Sequence, residues 1–146
     1  MTAMDTFTIG ALAREAGCKV QTIRYYEQIG LMPKPPRSSG NQRQYGSAAL
    51  GRLDFIRHGR QLGFSLGAIR NLLELQDRPD TLCDQADLIA RHHLEEIEAR
   101  IAQLQNLKRE IRRMVTQCAG GTISTCRIIE GVADHSKCLQ EAHHSV

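Results

Sequence analysis

No stretch of this chain stays apolar for anything near the roughly 20 residues that cross a bilayer, so a spanning helix is excluded. Met1 to Thr8 lack the basic patch and apolar run of a secretory signal, and a cytoplasmic location is expected. Length is short too: 146 residues hold one domain with a real core, or a small domain plus a long helix, and leave little room for a large catalytic fold. An even set of cysteines is missing. The five present are clustered toward the C-terminus, which suits metal or redox chemistry better than a disulfide framework.

Acids are scarce between residues 14 and 70. Against Glu15, Glu27 and Asp54 stand Arg14, Lys19, Arg24, Lys34, Arg37, Arg43, Arg52, Arg57, Arg60 and Arg70. Such an excess suits a polyanion, although a basic surface alone also fits a merely solvated face. The arrangement of the residues decides between the two. Thr8 precedes an apolar set at Ile9, Leu12 and Ala13, and Gly17 closes it, which predicts a short capped helix. After a turn and Cys18-Lys19-Val20, Gln21 to Leu31 predicts a second helix that puts Val20, Ile23 and Leu31 inward, with Gln21, Arg24 and Glu27 on another face. Two short helices about a tight turn make a helix-turn-helix. An arginine there reads a guanine edge or clamps a phosphate, and tyrosine hydroxyls bond phosphates while their rings pack.

Met32 to Tyr45 is rich in proline, glycine and serine, and reads as a hairpin loop with short strands, a wing. Arg37, Arg43 and Tyr45 are expected to flank its tip, where they would reach the sugar-phosphate backbone. Ser47 starts another helix; Ser65 caps the next, giving a second helix-turn-helix whose Leu53, Ile56, Leu66, Ile69 and Leu73 form core. His58 and Arg60 are expected outside, Arg60 against phosphate.

From about Asp84 to Gln117 the pattern is that of one long helix. Ala90, Leu94, Ile97, Ile101, Leu104, Lys108, Ile111 and Val115 alternate by four and three residues, the seam of a two-stranded coiled coil. An isolated helix with one apolar stripe needs a partner, and a homodimer is expected. Cys83 stands just before this helix and Cys118 just after it. At a rise of 1.5 Å per residue they are roughly 50 Å apart in one chain and cannot share an ion. Cys126 returns on a loop whose Gly120 and Gly121 allow a tight fold. Soft sulfur ligands select zinc, cadmium, lead, mercury or copper(I) over hard cations. Cys138 with His135, His143 and His144 forms a second, auxiliary candidate cluster in the tail. Cys18 is expected to be a packing residue. His92 and His93, adjacent on a helix, lack chelating spacing.

The strings Ile9-Gly10-Ala11-Leu12-Ala13, Thr22-Ile23-Arg24-Tyr25-Tyr26-Glu27, Gly30-Leu31, Arg43-Gln44-Tyr45 and Arg57 to Leu66 resemble those of the MerR family of transcription regulators, over nearly the whole chain. The resemblance implies a mostly α fold: a winged helix-turn-helix over residues 1–80, an antiparallel coiled coil over 81–117, and a metal loop with a tail over 118–146. It implies contacts to double-stranded promoter DNA from Arg24, Tyr26, Arg37, Arg43, Tyr45 and Arg60, with Gln21 and Thr22 near the base-facing end. It also implies action through RNA polymerase, on a promoter that metal binding twists into a usable form, rather than enzymatic turnover.

In an antiparallel pair, Cys83 of one subunit would join Cys118 and Cys126 of the other. In similar sensors a cysteine at the place of Cys83 accompanies a divalent-ion response, whereas copper(I) sensors carry serine there. The loop length matches the copper sensors, and Ala119 replaces a second cysteine found in zinc sensors, so zinc, cadmium and lead stay together as the reading, with mercury or copper(I) as the alternative. An iron-sulfur regulator calls for four tightly grouped cysteines, whereas Cys118, Cys126 and Cys138 are widely spaced. An enzyme with a cysteine nucleophile lacks a recognisable base and orienting group.

Overall fold

A computed structural model describes residues 6–37, 40 and 42–134; the candidate residues His135, Cys138, His143 and His144 lie outside the described residues. The chain divides into two compact units, Met1–Ala86 and Asp87–Val146. Among the described residues the elements are helices: α1 (Ile9–Ala16), α2 (Val20–Gln28), α3 (Ser47–Gln61), α4 (Leu66–Gln76), α5 (Asp84–Gln117) and α6 (Arg127–Ala133), with a 3₁₀ turn at Ile123–Thr125. None of them is long and apolar enough to cross a membrane.

The first unit is built on its caps. Thr8 Oγ1 accepts from the Ala11 amide at 3.2 Å, and Ser65 Oγ accepts from the Ala68 amide at 3.1 Å, each satisfying a first-turn N–H with no partner inside its helix. Gly17 ends α1 at φ 68°, a left-handed conformation that lets the Cys18 amide reach back to the Ala13 carbonyl. Leu12, Ile23, Leu31, Leu53, Ile56, Ile69 and Leu73 are fully buried and weld α1 to α4 into one core, each side chain worth roughly 1.5–3 kcal/mol of transfer free energy. Met32 completes this core, and Cys18 packs against it as expected.

Three of the basic residues counted toward a polyanion surface have an internal task. Arg57 donates to the Ala16 carbonyl, Arg70 to the Ile29 carbonyl at 2.6 Å, and Arg52 to the Leu31 carbonyl at 2.6 Å. Each guanidinium from α3 or α4 thus meets backbone oxygens where α1 or α2 ends, the negative pole of a helix. The three cations brace the helix-turn-helix from behind.

The wing differs from the expected pair of short strands. Its described residues form isolated antiparallel bridges, Arg37 with Arg43 and Phe7 with Tyr45, and no strand. Four prolines in the chain, three of them at positions 33, 35 and 36, remove the amide donors a longer ladder would need.

In the second unit α5 runs over the limits read from the sequence, and its seam is uncovered. Leu94, Ile101, Leu104, Ile111 and Val115 are each about half exposed, between 47% and 57%. On another face Met114 is buried beneath α6, where Gly131 passes so close that a Cβ would stand 2.7 Å from Met114 Cε. This contact returns the chain onto the end of α5 and so closes the loop that carries Cys118 and Cys126.

Candidate nucleic-acid interface and metal loop

Two depressions flank α2. The larger, of about 660 Å³, lies between α2 and the wing, and four cations line it: Arg24 from α2 with Lys34, Arg37 and Arg43 from the wing. The smaller, of about 340 Å³, is lined by Gln21, Thr22, Tyr25, Tyr26 and Arg60. Seven of the eight residues read from the sequence as DNA contacts therefore line one depression or the other. Helical spacing explains the split: Gln21 and Tyr25 are four apart on one stripe, while Arg24 and Gln28 occupy another. Arg60 donates to the Phe64 carbonyl at 2.8 Å and remains exposed.

Tyr45 is the eighth, and the structure corrects its expected place. It is 1% exposed, paired by its backbone with Phe7, and its hydroxyl donates to Glu27 Oε1 at 2.8 Å. Burial, followed by the hydrogen bond to Glu27, raises its pKa above the ordinary tyrosine value. It is a core residue at the base of the wing, not a hydroxyl at the tip. Tyr26 is also nearly buried, at 8%. Glu27, expected on the outer face with Gln21 and Arg24, is buried instead. Its signal was present in the sequence, because Glu27 stands four residues after the fully buried Ile23, on the same helical stripe.

At the far end of the second unit, Gly120 (φ 79°) and Gly121 (φ 98°) adopt the left-handed conformation expected of the loop. The 3₁₀ turn follows, and Cys126 stands at the N-terminus of α6. The amides of Ile129 and Ile128 face the Cys126 sulfur and lower its pKa, although neither closes a capping hydrogen bond; burial opposes them, and the Cys118 thiol lowers it further. Cys118 and Cys126 are therefore neighbours in space, two sulfur donors at one end of α5. Cys83 is exposed, in the other unit. Among the described residues no three His, Cys, Asp or Glu side chains of the chain gather into a cluster fit to hold a metal. His92 and His93 both turn toward Glu96, at 3.1 and 3.5 Å.

The thiol environments predict an order of reactivity. Cys18 has a raised pKa, first because it is buried, whereas that of Cys126 is lowered. Lowering a thiol's pKa raises the thiolate fraction at a given pH, and the thiolate is the nucleophile. Iodoacetamide at neutral pH should modify Cys126 well before Cys18 in the metal-free protein, and its reaction should persist to lower pH. Peptide mapping of a time course checks this.

The pattern of the MerR HTH family of regulatory proteins matches residues 7–76, and that of the MerR DNA-binding family matches residues 50–114. The HTH-type transcriptional regulator ZntR of Escherichia coli K12 is 42% identical over 129 residues, which are 86% of this chain and 92% of that protein. Among solved structures, the transcription regulator PbrR691 of Ralstonia metallidurans CH34 in complex with lead(II) superposes with a TM-score of 0.77 at 37% identity, covering 86% of this chain and 98% of that one. The regulator MerR of Bacillus megaterium MB1 in complex with mercury(II) gives 0.64 at 30% identity, over 88% and 100%. With its helix-turn-helix, its basic wing and the long helix that follows, the chain belongs to the MerR family of helix-turn-helix transcription regulators.

Proposed function

We propose that this protein is a cytoplasmic, metal-responsive regulator that binds promoter DNA as a homodimer and activates metal resistance or efflux genes when it binds a divalent thiophilic ion, namely zinc, cadmium or lead. One observation carries the metal half: Cys118 and Cys126 lie side by side on a glycine-turned loop at the end of a long helix with an uncovered seam. Two thiols alone leave an ion under-coordinated, since sulfur sites of this kind use three or four ligands. Pairing the seam with a second, antiparallel copy supplies the partner's Cys83 as a third. The donor set fits soft ions, and binding releases the thiol protons. Similar regulators solved in complex with lead(II) and with mercury(II) support the class of ion; Cys83 favours the divalent reading over copper(I), and mercury is the second reading.

For DNA, the support is the gathering of Arg24, Lys34, Arg37 and Arg43 along one cleft and of Gln21, Thr22, Tyr26 and Arg60 along the other. Phosphates would meet the cations, and α2 would present Gln21, Thr22 and Arg24 to base edges in the major groove. Metal binding acts on transcription only if it favours one of two conformers of the dimer on DNA, the one RNA polymerase can use. Arg24→Ala should weaken promoter binding by about 1–3 kcal/mol and leave metal affinity unchanged. Anisotropy titration of the labelled promoter, with a metal competition assay on the same preparation, checks both; undiminished promoter binding removes Arg24 from the interface.

A further inference from the structure

Glu27 is the sole acid among the residues lining the cleft of four cations. By charge alone it is misplaced, because a carboxylate facing phosphates weakens binding. Its side chain is 2% exposed, and its oxygens face the wing: Oε1 accepts from the Tyr45 hydroxyl at 2.8 Å and from Arg43 at 3.3 Å, and Oε2 accepts from the same Arg43 nitrogen at 3.1 Å. Arg43 in turn pairs with Arg37, and Tyr45 with Phe7. One buried carboxylate therefore ties the recognition helix to the returning arm of the wing at two points.

We propose that Glu27 is a positioning residue for DNA binding: it fixes the guanidinium of Arg43, a third exposed at the cleft wall, in the orientation in which it meets a phosphate, with Tyr45 as the second strut. This rests on the reading of the cleft as the DNA interface. Pre-ordering a long side chain spares the entropy otherwise lost when it is immobilised on binding. It also makes α2 and the wing one rigid reader, so that a phosphate held by the wing sets the register of the helix in the groove.

Charge and positioning predict opposite signs for Glu27→Gln. If the carboxylate were only a negative charge, removing it would tighten binding. If it positions Arg43, binding weakens. The test uses the full chain and a random-sequence DNA duplex as probe, titrated by anisotropy over a salt series. Glu27→Gln is expected to weaken binding roughly 5–30-fold and to lower the salt slope by about one, the loss of one phosphate contact. Arg43→Ala should match it, and the double variant should be no weaker than Arg43→Ala. Tyr45→Phe keeps its ring in the core and should give a smaller loss of the same sign, which serves if a thermal melt shows Glu27→Gln unfolded. Equal or tighter binding by Glu27→Gln or by Tyr45→Phe, or additive losses in the double variant, overturns the proposal while Arg24→Ala still weakens binding. If Arg24→Ala binds as the wild type does and the salt slope is flat, the interface reading itself fails, and the proposal with it.

Discussion

Serine in place of Cys126 is expected to abolish the transcriptional response to metal at concentrations that saturate the wild type, and to leave the occupancy of the promoter by the metal-free protein unchanged. Changing a residue that merely orients a metal ligand already costs 10–100-fold in affinity, so loss of a thiolate donor should cost roughly 100-fold or more. The separation of effects follows from the chain's construction. Cys126 belongs to the unit Asp87–Val146, whereas every residue lining the cationic cleft belongs to Met1–Ala86. Cys118→Ser should behave alike, since its thiol stands beside that of Cys126. Cys83→Ser should lose the zinc, cadmium and lead responses together, because two remaining thiols cannot complete the site. Chelator competition titrations with each ion, paired with transcription in vitro, measure both sides. A Cys83→Ser protein with wild-type metal affinity would confine the site to the loop pair, the arrangement expected of a copper(I) sensor.

A single charge in the seam of α5 should dissolve the dimer. Ile101 is the middle of a stripe that includes Leu94, Ile97, Leu104 and Ile111, all exposed in the single chain. Truncating a well-packed isoleucine costs about 2–5 kcal/mol, and an unpaired carboxylate in its place costs more. Two-fold symmetry applies the penalty from both subunits. Ile101→Asp should therefore weaken dimerisation by more than about a thousandfold, with loss of promoter affinity and of metal affinity in the same variant. Sedimentation equilibrium measures the first. Unit Met1–Ala86 owes its core to α1–α4, so its fold should survive and its helical signal should persist. Retention of tight metal binding by a monomeric Ile101→Asp protein would separate the metal site from the dimer altogether.

Those two expectations use what the sequence carries most plainly. The limits of α5 and the stripe along it were readable because one long amphipathic helix obeys a local period, and no distant contact is needed to place Ile101 on the same face as Leu104. The caps at Thr8 and Ser65 are local in the same way. Other placements depend on partners distant in the chain. Tyr45 follows a loop rich in proline and glycine and on that pattern reads as an exposed hydroxyl, yet Phe7 and Glu27, 38 and 18 residues away, draw it into the core. Arg52, Arg57 and Arg70 counted equally with Arg24 as positive charge. Only the packing of α3 and α4 shows that they answer carbonyls at the ends of α1 and α2. Composition can therefore give the sign of the surface, while the backbone decides which cations reach it.

The shared metal site is tested most directly by mixing subunits. One subunit carries Cys83→Ser and the other Cys118→Ser, each with a different affinity tag, and the mixed dimer is isolated from co-expression and titrated with zinc or lead. If each ion is held between two chains, the mixed dimer contains one complete set of thiols and binds one ion with wild-type affinity, although neither parent homodimer does. If the mixed dimer is as weak as its parents, every ligand comes from a single chain and the account is contradicted.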